Sequence, residues 1–135
     1  MDSNNYLKVL LALTIWREAR GEGLEGMRAV AHVIRNRVLA WKQDWDQVMT
    51  NRNQFSSLSL PGDSQLVMWP DDDSALFKQI LDLAEKVFQG EEGDVTHGSL
   101  YYWNPRTATS DWFRKNIVGA MSKVAVIGNH EFFRP

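Results

Sequence analysis

An apolar helical stripe that runs into a pair of glycines most constrains how this chain of 135 residues can fold. Four positions share one helical face, namely Leu7, Leu11, Thr14 and Glu18. Gly21 and Gly23 follow and favour the end of the helix. The pattern therefore predicts a helix from about Asn5 to Arg20, with Glu18 near its C-terminal end on the face that its neighbours bury.

The environment expected for Glu18 suits an acid catalyst. Burial disfavours the charged form of a carboxyl group, and the nearby helix C-terminus adds a partial negative charge. Both effects favour the protonated form, which a general acid needs at neutral pH. The same residues also fit a plain charged helix end with Gly21 as its stop signal, so the stripe alone leaves the role of Glu18 open.

A second helix is predicted directly after the glycines. Its apolar stripe consists of Leu24, Met27, Val30, Ala31, Ile34 and Val38. Arg28, Arg35 and Arg37 mark its more polar side, and His32 is interpreted as a hydrogen-bonded structural histidine. The short connector predicts an αα-hairpin with Glu18 near its corner.

The rest of the chain predicts further helices and a small sheet. A helical turn is expected at Asp44–Met49, and a third helix follows the acid-rich start Asp71–Ser74 and ends at Gly90. An antiparallel sheet is predicted in the C-terminal third from strand-like segments at Leu100–Trp103, Lys123–Ile127 and His130–Phe133. Together the elements predict one helix-rich α+β domain over residues 1–135.

Composition argues against several classes of protein. A formal net charge of −2 gives no basic field for nucleic acid, and the absence of cysteine excludes disulfides and thiol catalysis. The histidines at 32, 97 and 130 lack zinc-site spacing, and Asp71–Asp73 lacks the glycine and final glutamate of a calcium loop. Neither a metal nor another cofactor is therefore predicted. The apolar run Tyr6–Trp16 is too short to span a membrane.

Four blocks of sequence carry a family resemblance. They are Glu18–Glu22 with Glu25–Val38, then Asn53–Ser56, then Tyr101–Ser110, and finally Ile127–Phe133. In this order, over nearly the whole chain, they resemble the catalytic domain of the spore-cortex-lytic SleB and CwlJ family of cell wall hydrolases. The resemblance implies a lysozyme-like fold and cleavage of peptidoglycan between N-acetylmuramic acid and N-acetylglucosamine.

The resemblance also implies roles for individual residues. Glu18 is the expected general acid and base of a lytic transglycosylase, which leaves 1,6-anhydromuramic ends. The glycan groove is expected to be lined by Gln54, Phe55, Ser56, Tyr101, Tyr102 and Asn104. His130 is expected to orient Glu18 or a tyrosine. Strand alternation sends Tyr101 and Tyr102 to opposite sides, and Tyr101 is favoured for the groove, whereas Trp112 is interpreted as core.

A second catalytic carboxylate is not fixed by the sequence. Four acids are available, namely Glu22, Glu25, Asp111 and Glu131. Glu22 is the leading candidate for the second carboxylate because it lies nearest to Glu18 in the chain. Its simpler interpretation is a solvent-exposed acid in a loop. A two-carboxylate muramidase and a non-catalytic peptidoglycan-binding module therefore stay open, while a metal-dependent amidase is poorly supported by the histidine spacing.

The start of the chain suggests a cellular setting. No secretion signal precedes the Glu18 block, which leads to the expectation of a phage or prophage endolysin. Such a bacteriolytic enzyme collects in the host cytoplasm and reaches the wall through a separate membrane-opening protein. We expect a monomer whose partner is the peptidoglycan glycan strand, without stable membrane insertion.

Overall fold

The computed structural model describes residues 3–50, 68–71 and 74–135. Its helices are α1 (Ser3–Ala19), α2 (Gly23–Trp41), α3 (Trp45–Met49), α4 (Ala75–Gln89) and the short α5 (Asp111–Phe113), which continues into a π-helical turn at Arg114–Val118. Its strands are β1 (Tyr101–Trp103), β2 (Ser122–Ile127) and β3 (His130–Arg134). The order of helices and strands confirms the predicted helix-rich α+β class, while α5 and the π-helical turn were not predicted.

The largest core lies between α1, α2 and α4. Each helix contributes buried side chains, including Ile34 from α2 and Ile80 and Val87 from α4. From α1 these are Leu11 of the predicted stripe and Ile15, which was not part of that stripe. Burying several such aliphatic side chains contributes roughly 1.5–3 kcal/mol each to holding the three helices together. The helical layer therefore follows from the 3.6-residue periodicity of the sequence.

The ends of α4 follow local sequence signals. The Ser74 hydroxyl accepts a hydrogen bond from the backbone N–H of Phe77, which satisfies one of the free donors of the first turn. At the other end Gly90 has a φ of +77°, a left-handed conformation that glycine adopts without steric cost. Both predicted boundaries of this helix are confirmed.

The sheet is antiparallel and has the strand order β1-β3-β2. Tyr102 pairs with Phe132, and both belong to a cluster with Ala29 and Val33 of α2. Neighbouring residues on each strand point to the opposite side, so Tyr101 lies in a second cluster instead. The sheet thus presents Tyr102 to Ala29 and Val33 of α2, whereas Tyr101 packs in the cluster of Trp103, Ile117 and Phe133.

Three predictions about side chains were wrong. Arg37 was predicted on the more polar side of α2, but its side chain is only 3% exposed. It is buried because β1 packs against that side of the helix. His32 is 1% exposed, yet neither ring nitrogen has a hydrogen-bond partner among the described residues. Trp112 is 61% exposed, and its neighbour Phe113 enters the core instead, where it stacks on Trp103 at 5.2 Å.

Because His32 is buried, we expect the protein to lose stability in mild acid. Burial holds the pKa of His32 below the ordinary 6.5, against the opposing attraction of Asp94 and Glu92. The unfolded chain therefore binds a proton that the native state resists, so the free energy of unfolding falls as the pH drops below about 6.5. We expect His32→Leu to weaken this fall, as measured by urea unfolding at neutral pH and at about pH 5.

The exposed His97 provides the matched control. The part of the acid-induced loss of stability that His32 causes should persist in His97→Gln, because this variant keeps His32. Equal pH dependence in the wild-type protein and in His32→Leu would show that His32 does not couple folding to protonation.

Candidate active site

Glu18 lies one residue before the end of α1, at the corner of the α1–α2 hairpin. Its side chain is partly buried and interacts electrostatically with Tyr102 of β1 and Arg37 of α2. The preceding Arg17 takes another direction, since its Nε donates a hydrogen bond to the Met68 carbonyl at 3.1 Å. The end of α1 therefore directs Glu18 towards the sheet, as the predicted hairpin corner requires.

Tyr102 faces the same corner from the sheet. Its ring stacks on Phe132 at 5.7 Å and meets the edge of the His130 ring at 5.3 Å. Burial, followed by the negative charges of Glu18 and Glu22, raises the pKa of Tyr102 well above its ordinary range, although Arg37 opposes this. The hydroxyl therefore stays protonated at working pH and offers a hydrogen-bond donor on the side of Glu18.

Tyr101 points to the opposite side of β1. Its ring centroid lies 6.1 Å from that of Trp41 and 6.4 Å from that of Phe113, within an aromatic cluster. The structure thus divides the two tyrosines as strand alternation predicts, and it brings Tyr102 rather than Tyr101 together with His130 and the Glu18 side.

The remaining groove residues are placed only in part. The side-chain oxygen of Asn104 accepts a hydrogen bond from the backbone N–H of Arg106 at 3.0 Å, which stabilises the turn after β1. Gln54, Phe55 and Ser56 lie outside the described residues. Glycan binding by these four residues and by Tyr101 stays a prediction.

Glu22 is not the solvated loop acid of the simpler interpretation. It precedes α2, its side chain is 22% exposed, and its Oε2 lies 3.8 Å from Nδ1 of His130. A Cβ at Gly26 would lie 2.5 Å from Glu22 Cβ, and a Cβ at Gly128 would lie 3.4 Å from Glu22 Oε2. The absence of side chains at Gly26 and Gly128 therefore leaves room for the Glu22 side chain.

His130 joins Glu22 to Tyr102. Burial lowers the pKa of His130 below its ordinary value, and the charge of Glu22 opposes this only in part. His130 is therefore neutral at neutral pH, and its distance from Glu22 is longer than a hydrogen bond. The expectation that His130 orients a tyrosine has geometric support in its contact with Tyr102.

The other three carboxylates are held elsewhere. Glu25 pairs with Arg28, and the exposed Asp111 lies 3.4 Å from Arg114. Glu131 accepts hydrogen bonds from Trp103 Nε1 at 2.9 Å and Lys123 Nζ at 3.1 Å, and these bonds lower its pKa. Of the four candidates for a second catalytic carboxylate, Glu22 is thus the one that interacts with Tyr102 on the side of Glu18.

Arg37 was not predicted to lie at this site. It was assigned to the polar side of α2 because of its charge. Its spacing gave a contrary signal, since Val30, Ile34 and Arg37 are separated by four and three residues and so share a helical face. Val30 and Ile34 are both buried.

Two kinds of feature are absent from residues 3–50, 68–71 and 74–135. No group of three or more His, Asp or Glu side chains there is arranged to hold a metal ion. None of the helices in these ranges is both long and apolar enough to cross a bilayer.

Related sequences cover most of this chain. The spore cortex-lytic enzyme of Bacillus subtilis (strain 168) is 33% identical over 133 residues, which is 96% of this chain and 38% of the relative. The spore cortex-lytic enzyme of Halalkalibacterium halodurans is 32% identical over 125 residues, which is 91% of this chain and 33% of the relative. The chain thus spans about a third of the length of these proteins.

Two solved structures share the fold. The catalytic domain of the germination-specific lytic transglycosylase SleB from Bacillus anthracis matches with a TM-score of 0.73 and 28% identity, over 98% of this chain and 97% of that one. The catalytic domain of the Bacillus cereus SleB protein matches with a TM-score of 0.71 and 29% identity, over 99% and 93%. These matches confirm the predicted lysozyme-like fold. Residues 21–133 also match the sequence profile of the Cell Wall Hydrolase family, and the chain therefore belongs to that family.

Proposed function

We propose that this chain is a lytic transglycosylase that cleaves peptidoglycan strands between N-acetylmuramic acid and N-acetylglucosamine. The observation that carries the proposal is the position of Glu18, which is partly buried at the hairpin corner and faces Tyr102 and Arg37. The shared fold supports it, because it covers nearly all of a catalytic domain that is named a lytic transglycosylase.

Glu18 would act twice in the reaction. Its protonated carboxyl first donates a proton to the glycosidic oxygen, so that the bond to the anomeric carbon of muramic acid breaks and positive charge develops on that carbon. The C6 hydroxyl of the same sugar then attacks the anomeric carbon, and the Glu18 carboxylate takes up the hydroxyl proton. The product is a 1,6-anhydromuramic end, and Glu18 is again protonated.

Tyr102 and His130 would support this cycle without exchanging protons. The Tyr102 hydroxyl remains protonated, so it can donate a hydrogen bond to a carboxylate or a sugar oxygen on the Glu18 side. The His130 ring meets that of Tyr102 edge-on and limits its movement. A positioned donor that needs no reorganisation stabilises charge that develops during the reaction.

The products of digestion test the proposal directly. Mass spectrometry of muropeptides from purified walls should show anhydromuramic ends, which lack one water relative to reducing ends. Fragments with only reducing ends would contradict the transglycosylase route. Wall binding without any cleavage would instead indicate the non-catalytic binding module.

The runner-up function is a two-carboxylate muramidase, and the position of Glu22 favours it. In such an enzyme the second carboxylate is essential. We expect Glu22→Gln to keep activity within about tenfold of the wild type, because a single acid serves both steps of our mechanism. The measurement is the initial rate of wall lysis.

Two matched variants control for general effects of removing an acid. Glu25→Gln and Asp111→Asn remove acids that pair with neighbouring arginines, and both should retain substantial activity. A folded Glu22→Gln as inactive as Glu18→Gln, together with wild-type products that carry reducing ends, would replace the proposal by the muramidase.

The biological setting stays a prediction. The named relatives are spore cortex-lytic enzymes, and a phage or prophage endolysin with cytoplasmic storage is our expectation for this chain. A bacteriolytic role predicts that co-expression with a membrane-opening protein lyses the host cell. The monomeric state is a prediction that sedimentation can measure.

A further inference from the structure

Arg37 connects α2 to the strand that carries both tyrosines. Its guanidinium is buried, and its Nε donates a hydrogen bond of 2.6 Å to the carbonyl of Leu100, the residue before β1. The guanidinium carbon also lies 5.2 Å from the Trp41 ring and 5.4 Å from the Tyr101 ring, as in cation–π contacts. These contacts fix both the position of β1 and the position of the charge.

The charged and titratable groups around Arg37 come from several elements. Glu18 faces it from α1, and Tyr101 and Tyr102 face it from β1. Glu22 and His130 lie on the other side of Tyr102. Burial lowers the pKa of Arg37 to about 10, so the guanidinium is still charged at neutral pH.

We propose that Arg37 is a positioning residue that holds β1 against α2 and, as a fixed buried cation, stabilises the carboxylate that Glu18 becomes after it donates its proton. The proposal rests on the function proposed above. It assigns to Arg37 a role in the charge balance of the reaction as well as in packing.

The buried charge of Arg37 is energetically costly. Moving a guanidinium out of water carries a desolvation penalty, and an apolar side chain on the same helical face as Val30 and Ile34 would avoid it. The hydrogen bond to Leu100 and the two aromatic contacts hold the guanidinium in place, and the negative charge of Glu18 favours its charged form. A fixed cation near a carboxyl that gains negative charge lowers the energy of that step without any reorganisation of water.

The pH dependence of wall lysis separates the electrostatic role from packing. Glu18 must be protonated for the first step, so activity falls where it ionises at higher pH. Removing the charge in Arg37→Gln should move this alkaline limb upward by about half a unit or more. The maximal rate should fall about three- to tenfold, which is the rate equivalent of half to one pH unit. Arg37→Lys keeps the charge and should restore the alkaline limb.

Neighbouring groups and a matched arginine provide the controls. Burial keeps the pKa of His130 low and that of Tyr102 high, so neither accounts for a limb that moves with Arg37. Arg35→Gln removes a charge from the same helix beside Gly90 and should leave the pH profile unchanged. A folded Arg37→Gln with the wild-type alkaline limb would overturn the proposal.

A second measurement covers a failure of Arg37→Gln to fold. Arg37→citrulline keeps the Nε donor and the planar shape but removes the charge. A carbon-13 NMR titration of the Glu18 carboxyl in this variant should give a higher midpoint than in the wild-type protein. An equal midpoint would overturn the role of Arg37 whether or not the chain is active, whereas an absence of anhydro products would count against the proposed function alone.

Discussion

Glu18→Gln is expected to lower the rate of wall lysis by at least about a hundredfold while the protein stays folded. The amide is close in shape to the carboxyl but cannot donate the proton that the leaving oxygen needs. Thermal unfolding should be unchanged or shifted to a higher temperature, because a partly buried acid at a helix C-terminus costs stability. The measurement is turbidity loss of purified walls, with circular dichroism to verify the fold.

A binding assay gives this variant its control. Glu18→Gln should still sediment with insoluble peptidoglycan, since the predicted groove residues are unchanged, while Glu25→Gln should lyse walls at close to the wild-type rate. Lysis by Glu18→Gln at near the wild-type rate would remove Glu18 from the mechanism.

Asp94→Ala is expected to lower the free energy of unfolding by about 2–4 kcal/mol at neutral pH. The carboxylate accepts hydrogen bonds from the backbone N–H and hydroxyl of Thr96, from the N–H of Gly98 and from the side-chain amide of Asn36, all at 2.7–2.8 Å. Burial alone would raise the pKa of Asp94, but these bonds together lower it. Alanine leaves several of the donors without a partner.

The pH dependence of this effect has a definite sign. A lowered native pKa means that the stabilisation by Asp94 is present above the ordinary value of 3.8 and is lost as the pH falls through the native value. The difference between wild-type protein and Asp94→Ala in urea unfolding should therefore shrink in acid. Asp82→Ala removes an exposed partner of Lys86 and should cost less than about 1 kcal/mol. Equal losses of unfolding free energy in Asp94→Ala and Asp82→Ala would contradict the stabilising role of the hydrogen bonds to Asp94.

The helices and strands were predictable because their signals are local. The stripe that ends at Glu18, the Ser74 and Gly90 caps and the period-two strands are each readable within a few residues, and each formed as expected. The π-helical turn after Phe113 has no such short-range signal, and neither does the exposure of Trp112.

The position of Glu18 at the hairpin corner was predictable from the sequence, but the residues that surround it were not. Glu18 could be found from one helix, whereas the burial of Arg37 requires knowing that β1 packs against α2. The choice between Tyr101 and Tyr102 depends in the same way on which face of the sheet meets the helices. The burial of Arg37 and the faces on which the two tyrosines lie depend on contacts between segments that are far apart in the chain. Such contacts cannot be inferred from the local pattern of a single sequence.

Digestion of purified walls in oxygen-18 water tests the central claim most directly. A transglycosylase uses the C6 hydroxyl of muramic acid as its nucleophile, so the new ends should be anhydromuramic and carry no oxygen-18. The Glu18→Gln variant should release no such ends. New reducing ends labelled with oxygen-18 would show that water is the nucleophile and would contradict the account.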